Sequence, residues 1–546
     1  MEITCVGGAR TVTGSCFWCR NEKASFLVDC GMFHGPERLE ERNRAPFPFV
    51  AEDIEAVLLT HAHIDHSGLL PRLVREGFRG KIYATPATVD LCAIMLPDSA
   101  HIQEMEAQWQ RKKNVRKGKE APPPLYTQAD VERTLERFEP VPYGTLFSFA
   151  DGAEASFRDA GHILGSAFLE CSLSVGGHRK KVVFSGDLGN RDQPILRDPE
   201  TIETADVVFV ESTYGNRMHR SMGETLEEFA QIVLAAHREG GKVIIPAFAV
   251  ERTQEVLYAL HALQKQGRIP VVPTFVDSPL AISATEIFRR HPECFDEQTR
   301  QMLLQGESPL SVPSLTFTRS TDESRALNEL EGPAIIISAS GMCDAGRILH
   351  HLKHTIWRPD THVVIIGFQA QGTTGRKLVE GAQRIRLFHE EVVVRARIHT
   401  LGGFSAHADQ GGLLEWLGAM KNPALRAYVV HGEEEIAVEF AARLQEIIGC
   451  PAYVPFLGET VSLLEEVPPR RAFPQPAAAA TMGRGAEPPE SVARLIARLQ
   501  GLAERLSSAT WDRGRIDSRR LEKQLGKLAK IAEKLEGILE KGQASS

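Results

Sequence analysis

The stretch Ala56-Val57-Leu58-Leu59-Thr60-His61-Ala62-His63-Ile64-Asp65-His66 passes from an apolar run into three histidines and one aspartate. The apolar run reads as a buried strand, so the imidazoles and the carboxylate emerge where that strand ends. Neutral imidazole nitrogen and carboxylate oxygen are the ligands that zinc takes from enzymes. Four such groups within six residues exceed what one tetrahedral ion accepts from a short loop, so the surplus points to two metals. Ligands alternating with small apolar residues distinguish this segment from a polar turn that is merely rich in histidine.

H-x-H-x-D-H after a strand is the signature of the metallo-β-lactamase fold, and the chain resembles that superfamily at its further motifs. An early Asp at a strand end is matched by Asp29 in Phe26-Leu27-Val28-Asp29-Cys30-Gly31, where the resemblance implies that it orients the ligand loop. A loop His is matched by His162 in Asp159-Ala160-Gly161-His162, and a later Asp by Asp187 in Phe184-Ser185-Gly186-Asp187. Beyond Asp187 the sequence is similar to the β-CASP family, metallo-β-lactamase nucleases in which a second α/β domain is inserted. Its acidic motif matches Glu211 in Val210-Glu211-Ser212-Thr213, and its two histidine motifs match His407 in Ser405-Ala406-His407-Ala408-Asp409 and His431 in Val430-His431-Gly432.

The resemblance covers about residues 1–465 and is nearest to the RNA-cleaving members, among them the mRNA 3′-end cleavage endonuclease and its prokaryotic relatives. In that family a His at the position of His431 accompanies RNA substrates, whereas DNA-repair members carry Val. The resemblance implies an α/β fold: an αββα sandwich with an inserted β-CASP domain. It also implies two Zn²⁺, one held by His61, His63 and His162 and the other by Asp65, His66 and His431, with Asp187 bridging. The expected substrate is single-stranded RNA, cut to leave 5′-phosphate and 3′-hydroxyl ends. Asp65, Asp187, Glu211 and His407 are the expected catalytic residues, with His407 paired to Glu211 as proton donor and Ser405 at the same phosphate. Alternatives are 5′-to-3′ exonuclease action, DNA processing, or hydrolysis of a substrate other than nucleic acid. The insert, Glu211 and His407 argue against a lactamase or thiolester hydrolase, and His63 excludes a flavodiiron oxidoreductase, which has Glu there.

Composition agrees with this reading without carrying it. A chain of 546 residues is expected to hold two or more domains. Its net charge of -8 and pI near 6.2 provide no global attraction for nucleic acid, so RNA contacts must be local. The clearest basic run, Arg111-Lys112-Lys113-Asn114-Val115-Arg116-Lys117-Gly118-Lys119, lacks interleaved aromatics and reads as a solvated helix end or loop. Nine cysteines at irregular spacings form no disulfide ladder or second zinc module, and Cys16 and Cys19 read as small hydrophobes of an early strand. With no leader pattern and no apolar stretch long enough to cross a bilayer, a cytoplasmic protein with no membrane partner is expected.

Apolar runs at residues 54–59, 181–184 and 206–210 read as strands of the first domain, each ending at a candidate site residue. Domain boundaries are expected at 1–211 plus 396–466 for the metallo-β-lactamase domain and 212–395 for the insert. Within the insert, strands are expected at 243–245, 271–272, 335–337 and 363–366, with a helix over 253–264. Two strand-to-helix loops there are candidates for a ribose-phosphate backbone: Ser338, Ser340 and Gly341 in one, Gly372, Thr373, Thr374 and Arg376 in the other. Arg252 is a further candidate contact by family analogy, and a helix-start ion-pair partner otherwise. Residues 467–490, rich in Pro, Ala and Gly, read as a flexible linker. Leucines spaced by three and four over 491–541 predict a helical hairpin or short coiled coil, able to support a homodimer or a protein partner.

Overall fold

A computed structural model describes residues 1–21, 23–115, 122–367 and 369–463. The expected linker and C-terminal hairpin, and the last part of the basic run, lie outside the described residues.

Two seven-stranded sheets form the first domain. One runs, in spatial order, through Thr460–Ser462, Glu2–Cys5, Phe17–Arg20, Ser25–Val28, Ala56–Leu58, Lys81–Ala84 and Phe138–Pro140. The other runs through Ala452–Tyr453, Arg426–Val430, Val207–Glu211, His178–Phe184, Ala167–Val175, Ala153–Asp159 and Phe147–Ala150. Between them lies a core of inward-facing side chains, including Ile3, Phe17, Phe26, Phe157, Leu169, Phe184, Phe209 and Tyr428. Phe184, Phe209 and Tyr428 come from three adjacent strands and stack with successive centroid spacings of 5.0 Å, each pair contributing about 0.5–1.5 kcal/mol beyond its burial. Helices cover the outer face of the first sheet, including Leu70–Arg75, Pro86–Val115 and Gln128–Leu135, and pack Leu73, Leu91, Leu96 and Val131 into the second apolar layer. The αββα sandwich is the architecture anticipated from the motifs.

The insert carries a six-stranded sheet in the order Leu315–Phe317, Thr274–Val276, Ala334–Ser338, Lys242–Pro246, His362–Ile365 and Arg397–Thr400. All of its pairings are parallel, and its central strands Ala334–Ser338 and Lys242–Pro246 are buried throughout, with apolar middles, because helices bury both faces. Two expectations shift here. Val271-Val272 is not a strand: Pro270 and Pro273 flank it, Pro has no N–H for a ladder, and pairing begins at Thr274. Arg397–Thr400, assigned from sequence to the returning segment, pairs with His362–Ile365, so the insert's sheet extends past residue 395. Alternation alone does not say which sheet an edge strand joins.

The strands bearing site residues end on one side of the sandwich. Ala56–Leu58 leads into the His61 loop, His178–Phe184 into Asp187, Val207–Glu211 ends on Glu211, and Arg426–Val430 leads into His431. Arg111 and Lys112 are exposed in the closing turns of Pro86–Val115, as expected of a solvated helix end. No helix among the described residues is long and apolar enough to cross a membrane.

Candidate metal centre

Three ring nitrogens converge at one point: His63 Nδ1 lies 3.1 Å from His61 Nε2 and 3.2 Å from His162 Nε2. A second set is adjacent, with His66 Nε2 3.2 Å from His431 Nε2 and the latter 3.5 Å from Asp65 Oδ2. Asp187 stands between them. Its Oδ2 is 3.5 Å from His61 Nε2 and 3.6 Å from His162 Nε2, and its Oδ1 is 3.4 Å from His66 Nε2. Each carboxylate oxygen therefore faces one cluster.

These separations fit metal ions. Ligand atoms about 2.0–2.1 Å from a tetrahedral ion lie about 3.3 Å apart, which is the spacing seen. Asp187 Oδ1 is buried and has no hydrogen-bond partner, a costly state that a cation would relieve. His61, His162 and Asp187 are almost wholly buried. Burial pushes the His61 and His162 imidazoles well below their usual pKa and His63 down to about 4, so all three offer lone pairs at neutral pH. Asp187 is held well below the usual carboxylate range: burial opposes this, but His431, His66 and His407 together outweigh it.

Asp29 is hydrogen-bonded to the loop that carries His61 to His66. Its Oδ1 accepts the Thr60 N–H at 2.8 Å, and its Oδ2 accepts the Thr60 hydroxyl at 2.9 Å and bonds His66 Nδ1 at 2.7 Å. The last bond sets the His66 tautomer so that the Nε2 lone pair points into the cluster. Burial lowers the His66 pKa, but Asp187 and Asp29 together raise it well above the usual value, so metal binding there displaces a proton. Gly31 is required by close approach, since a Cβ on it would lie 1.7 Å from the Asp65 carbonyl oxygen. Asp29→Asn should leave the fold intact, because Asn tolerates the positive φ of 59° at this position. It would put an amide N–H against His66 Nδ1 and turn Nε2 into a donor. Zinc affinity should fall about 10- to 100-fold; competition against a chromophoric chelator measures it, and unchanged affinity would remove Asp29 from this role.

Glu211 and His407 meet beside Asp187. His407 Nδ1 is 3.1 Å from Glu211 Oε2 and 3.9 Å from Asp187 Oδ2, and its side chain is 17% exposed. Glu211 is fully buried and also accepts the Leu188 N–H at 2.6 Å. Burial pushes the His407 pKa down, but Glu211 and Asp187 together raise it above the usual value. Glu211 also lies near Asp187 and His431 as a potential ligand, but its hydrogen bonds to Leu188 and His407 already engage both oxygens.

The candidate substrate residues are distributed differently. The two insert loops dock on each other: Gln369 Nε2 donates to the Gly341 carbonyl at 3.0 Å, and the Thr374 N–H to Asp344 Oδ1 at 3.1 Å. Several of their polar groups are engaged internally. The Ser338 hydroxyl donates to the Asp277 carbonyl at 2.9 Å, Thr373 Oγ1 donates to the Ala370 carbonyl at 2.7 Å, and Arg376 pairs with Glu380 at 2.6 Å. Ser340 Oγ accepts the Asp344 N–H at 3.2 Å. Gly372 is exposed, with open space beside it. Arg252 is buried, paired with Glu255 and donating to the Phe404 carbonyl. It thereby steadies the segment that leads to Ser405 and His407.

Four residues that the motifs do not single out hold the site together. Asn190 donates from Nδ2 to the Ser405 carbonyl at 3.1 Å and accepts the Asp409 N–H on Oδ1 at 3.1 Å. His219 Nε2 contacts the His407 carbonyl at 3.2 Å. Glu251, in the insert, accepts the Leu164 N–H beside His162 at 3.1 Å. Thr213 Oγ1 donates to the His431 carbonyl at 3.2 Å. Asn190 and Thr213 lie within three residues of Asp187 and Glu211, a proximity that could have flagged them; His219 and Glu251 carry no such signal.

Comparison with known proteins accords with this centre. Residues 9–230 match the metallo-beta-lactamase superfamily, residues 253–378 the Beta-Casp domain, and residues 391–455 the Zn-dependent metallo-hydrolase RNA specificity domain. The chain is 41% identical over 435 residues to Ribonuclease TTHA0252 of Thermus thermophilus, covering 80% of this chain and 94% of that protein. It is 30% identical over 479 residues to Transcription termination factor FttA of Methanosarcina mazei, covering 85% of this chain and 72% of that protein. The corresponding protein of Methanocaldococcus jannaschii is 29% identical over 465 residues, covering 83% of this chain and 70% of that protein. With its ligand clusters and inserted parallel sheet, the chain belongs to the β-CASP family of the metallo-β-lactamase superfamily and is a metal-dependent nuclease related to RNA-processing enzymes.

Proposed function

We propose that the protein is a two-zinc ribonuclease that cuts single-stranded RNA internally, leaving 5′-phosphate and 3′-hydroxyl ends. The observation that carries this reading is Asp187, which turns one carboxylate oxygen to each ligand cluster with the His407–Glu211 pair alongside. Zinc ions at the two clusters would supply hydroxide near neutral pH and offset negative charge on the phosphodiester. Asp187 fixes the spacing of the clusters, and Asp29 keeps the His66 lone pair directed inward. His407 donates a proton to the leaving 3′ oxygen, and Glu211 keeps its imidazole protonated and oriented. Asn190, His219 and Arg252 hold the 404–409 segment so that His407 stays in reach. RNA as substrate draws support from the matched RNA specificity domain, which includes His407 and His431, and from the ribonuclease relative.

The test uses a circular single-stranded RNA and a 5′-monophosphate linear RNA of the same sequence, each incubated with the zinc-loaded protein. Cutting of the circle is the expected result, since a circle has no end to enter. An intact circle with the linear RNA degraded to mononucleotides would make the enzyme a 5′-to-3′ exonuclease, and inertness toward both would reject RNA as substrate.

A further inference from the structure

Phe248 follows the central strand Lys242–Pro246 of the insert and is only partly buried. Its ring centroid lies 6.5 Å from that of His63, a member of the first ligand cluster. The Cδ2–Cε2 edge of the ring approaches the insert's loops: a Cβ on Gly341 would come within 2.8 Å of it, and one on Gly367 within 3.8 Å. The ring is thus near both the first ligand cluster and the loops at Gly341 and Gly367, and the absence of a side chain at residue 341 leaves it room. An apolar aromatic with exposed surface beside buried metal ligands is unfavourable in water. It becomes favourable when a flat, polarisable group covers it.

Resting on the reading of the site as a ribonuclease, we propose that Phe248 is the surface on which the nucleobase next to the scissile phosphodiester stacks. The phosphate at the clusters and the adjoining base are one nucleotide unit, and the ring lies beside the clusters on the insert side. Ser338, Thr373 and Arg376 have internal partners, so a face-to-face contact supplies grip that these loops do not provide through those groups. Stacking is tolerant of base identity because every base presents a π-face, which makes Phe248 a general determinant for single strands and a discriminator against duplexes, whose bases are already stacked.

The test is a two-by-two comparison on the full zinc-loaded chain. A short RNA with one mapped cleavage site is made with its natural bases and, separately, with an abasic nucleotide on either side of the cut. These are cleaved by the wild type and by Phe248→Ala and Phe248→Trp variants, with zinc content and melting temperature checked for each. At one of the two positions, removing the base should cost the wild type about 10- to 100-fold in kcat/KM. Phe248→Ala should lose the same factor on the natural RNA and nothing further on that abasic RNA, while Phe248→Trp retains cleavage of the natural RNA. If Phe248→Ala is impaired equally on natural and abasic RNA, or loses zinc or fold while Phe248→Trp is also indifferent to the missing base, the ring only packs the site and the proposal is overturned. A wild type that cleaves no RNA would instead reject the ribonuclease reading on which the proposal rests.

Discussion

Asp187→Ala should remove metal binding and cleavage together, lowering the rate by about 10³-fold or more, equivalent to ~4 kcal/mol of transition-state stabilisation. The carboxylate touches both clusters: its Oδ2 faces His61 and His162, and its Oδ1 faces His66. Alanine would leave the neutral imidazoles of the first cluster without an anionic ligand and the second with Asp65 alone. Buried cations so poorly compensated are not retained. Zinc per chain, measured by atomic absorption after dialysis, should therefore fall in parallel with cutting of the circular RNA. A variant that keeps its full metal content and activity would show that Asp187 is not the bridge.

His407→Ala should behave in the opposite way with respect to metal. His407 bonds Glu211 and reaches Asp187 only at 3.9 Å, so its loss leaves both ligand sets intact. Zinc content should hold while kcat falls about 10²- to 10⁴-fold, the usual contribution of a positioned general acid. The pH profile separates this role from simple packing. A general acid works only while protonated, so the rate should fall as pH rises through the His407 pKa, which Glu211 and Asp187 together lift against the effect of burial. Glu211→Gln removes a negative charge from His407, lowers that pKa, and should move the alkaline limb to lower pH. Bound metals shift the wild type and the variant alike, so the sign of the difference is unaffected. A limb that stays in place in Glu211→Gln would take His407 out of the proton transfer.

The metal centre was legible in sequence because its information is local. The spacing within His61 to His66 places several candidate ligands on one loop, and Asp187, Glu211 and His431 each follow an apolar run that the chain must bury as a strand, whereas His162 follows the mixed strand Ala153–Asp159. Strand ends then bring them together, since neighbouring strands of one sheet lie about 5 Å apart. The parallel character of the insert was legible for the same reason: runs such as 243–245 and 335–337 are apolar on both faces. The candidate phosphate loops show where this kind of reading stops. Gly, Ser and Thr mark a loop able to approach phosphate, but composition does not reveal that Ser338, Thr373 and Arg376 have partners within their own domain.

By itself the sequence pointed to the fold class, to the candidate metal ligands and to the Glu211–His407 pair, because each lies in a local motif that carries the family resemblance. Only the tertiary structure decided that Arg397–Thr400 joins the insert's sheet, that Asn190 and His219 clasp the His407 segment, that Glu251 reaches from the insert to the His162 loop, and that Phe248 of the insert lies beside His63. The physical reason is that such contacts join residues distant in sequence. Their geometry is set by how whole sheets and helices pack, which no local pattern encodes.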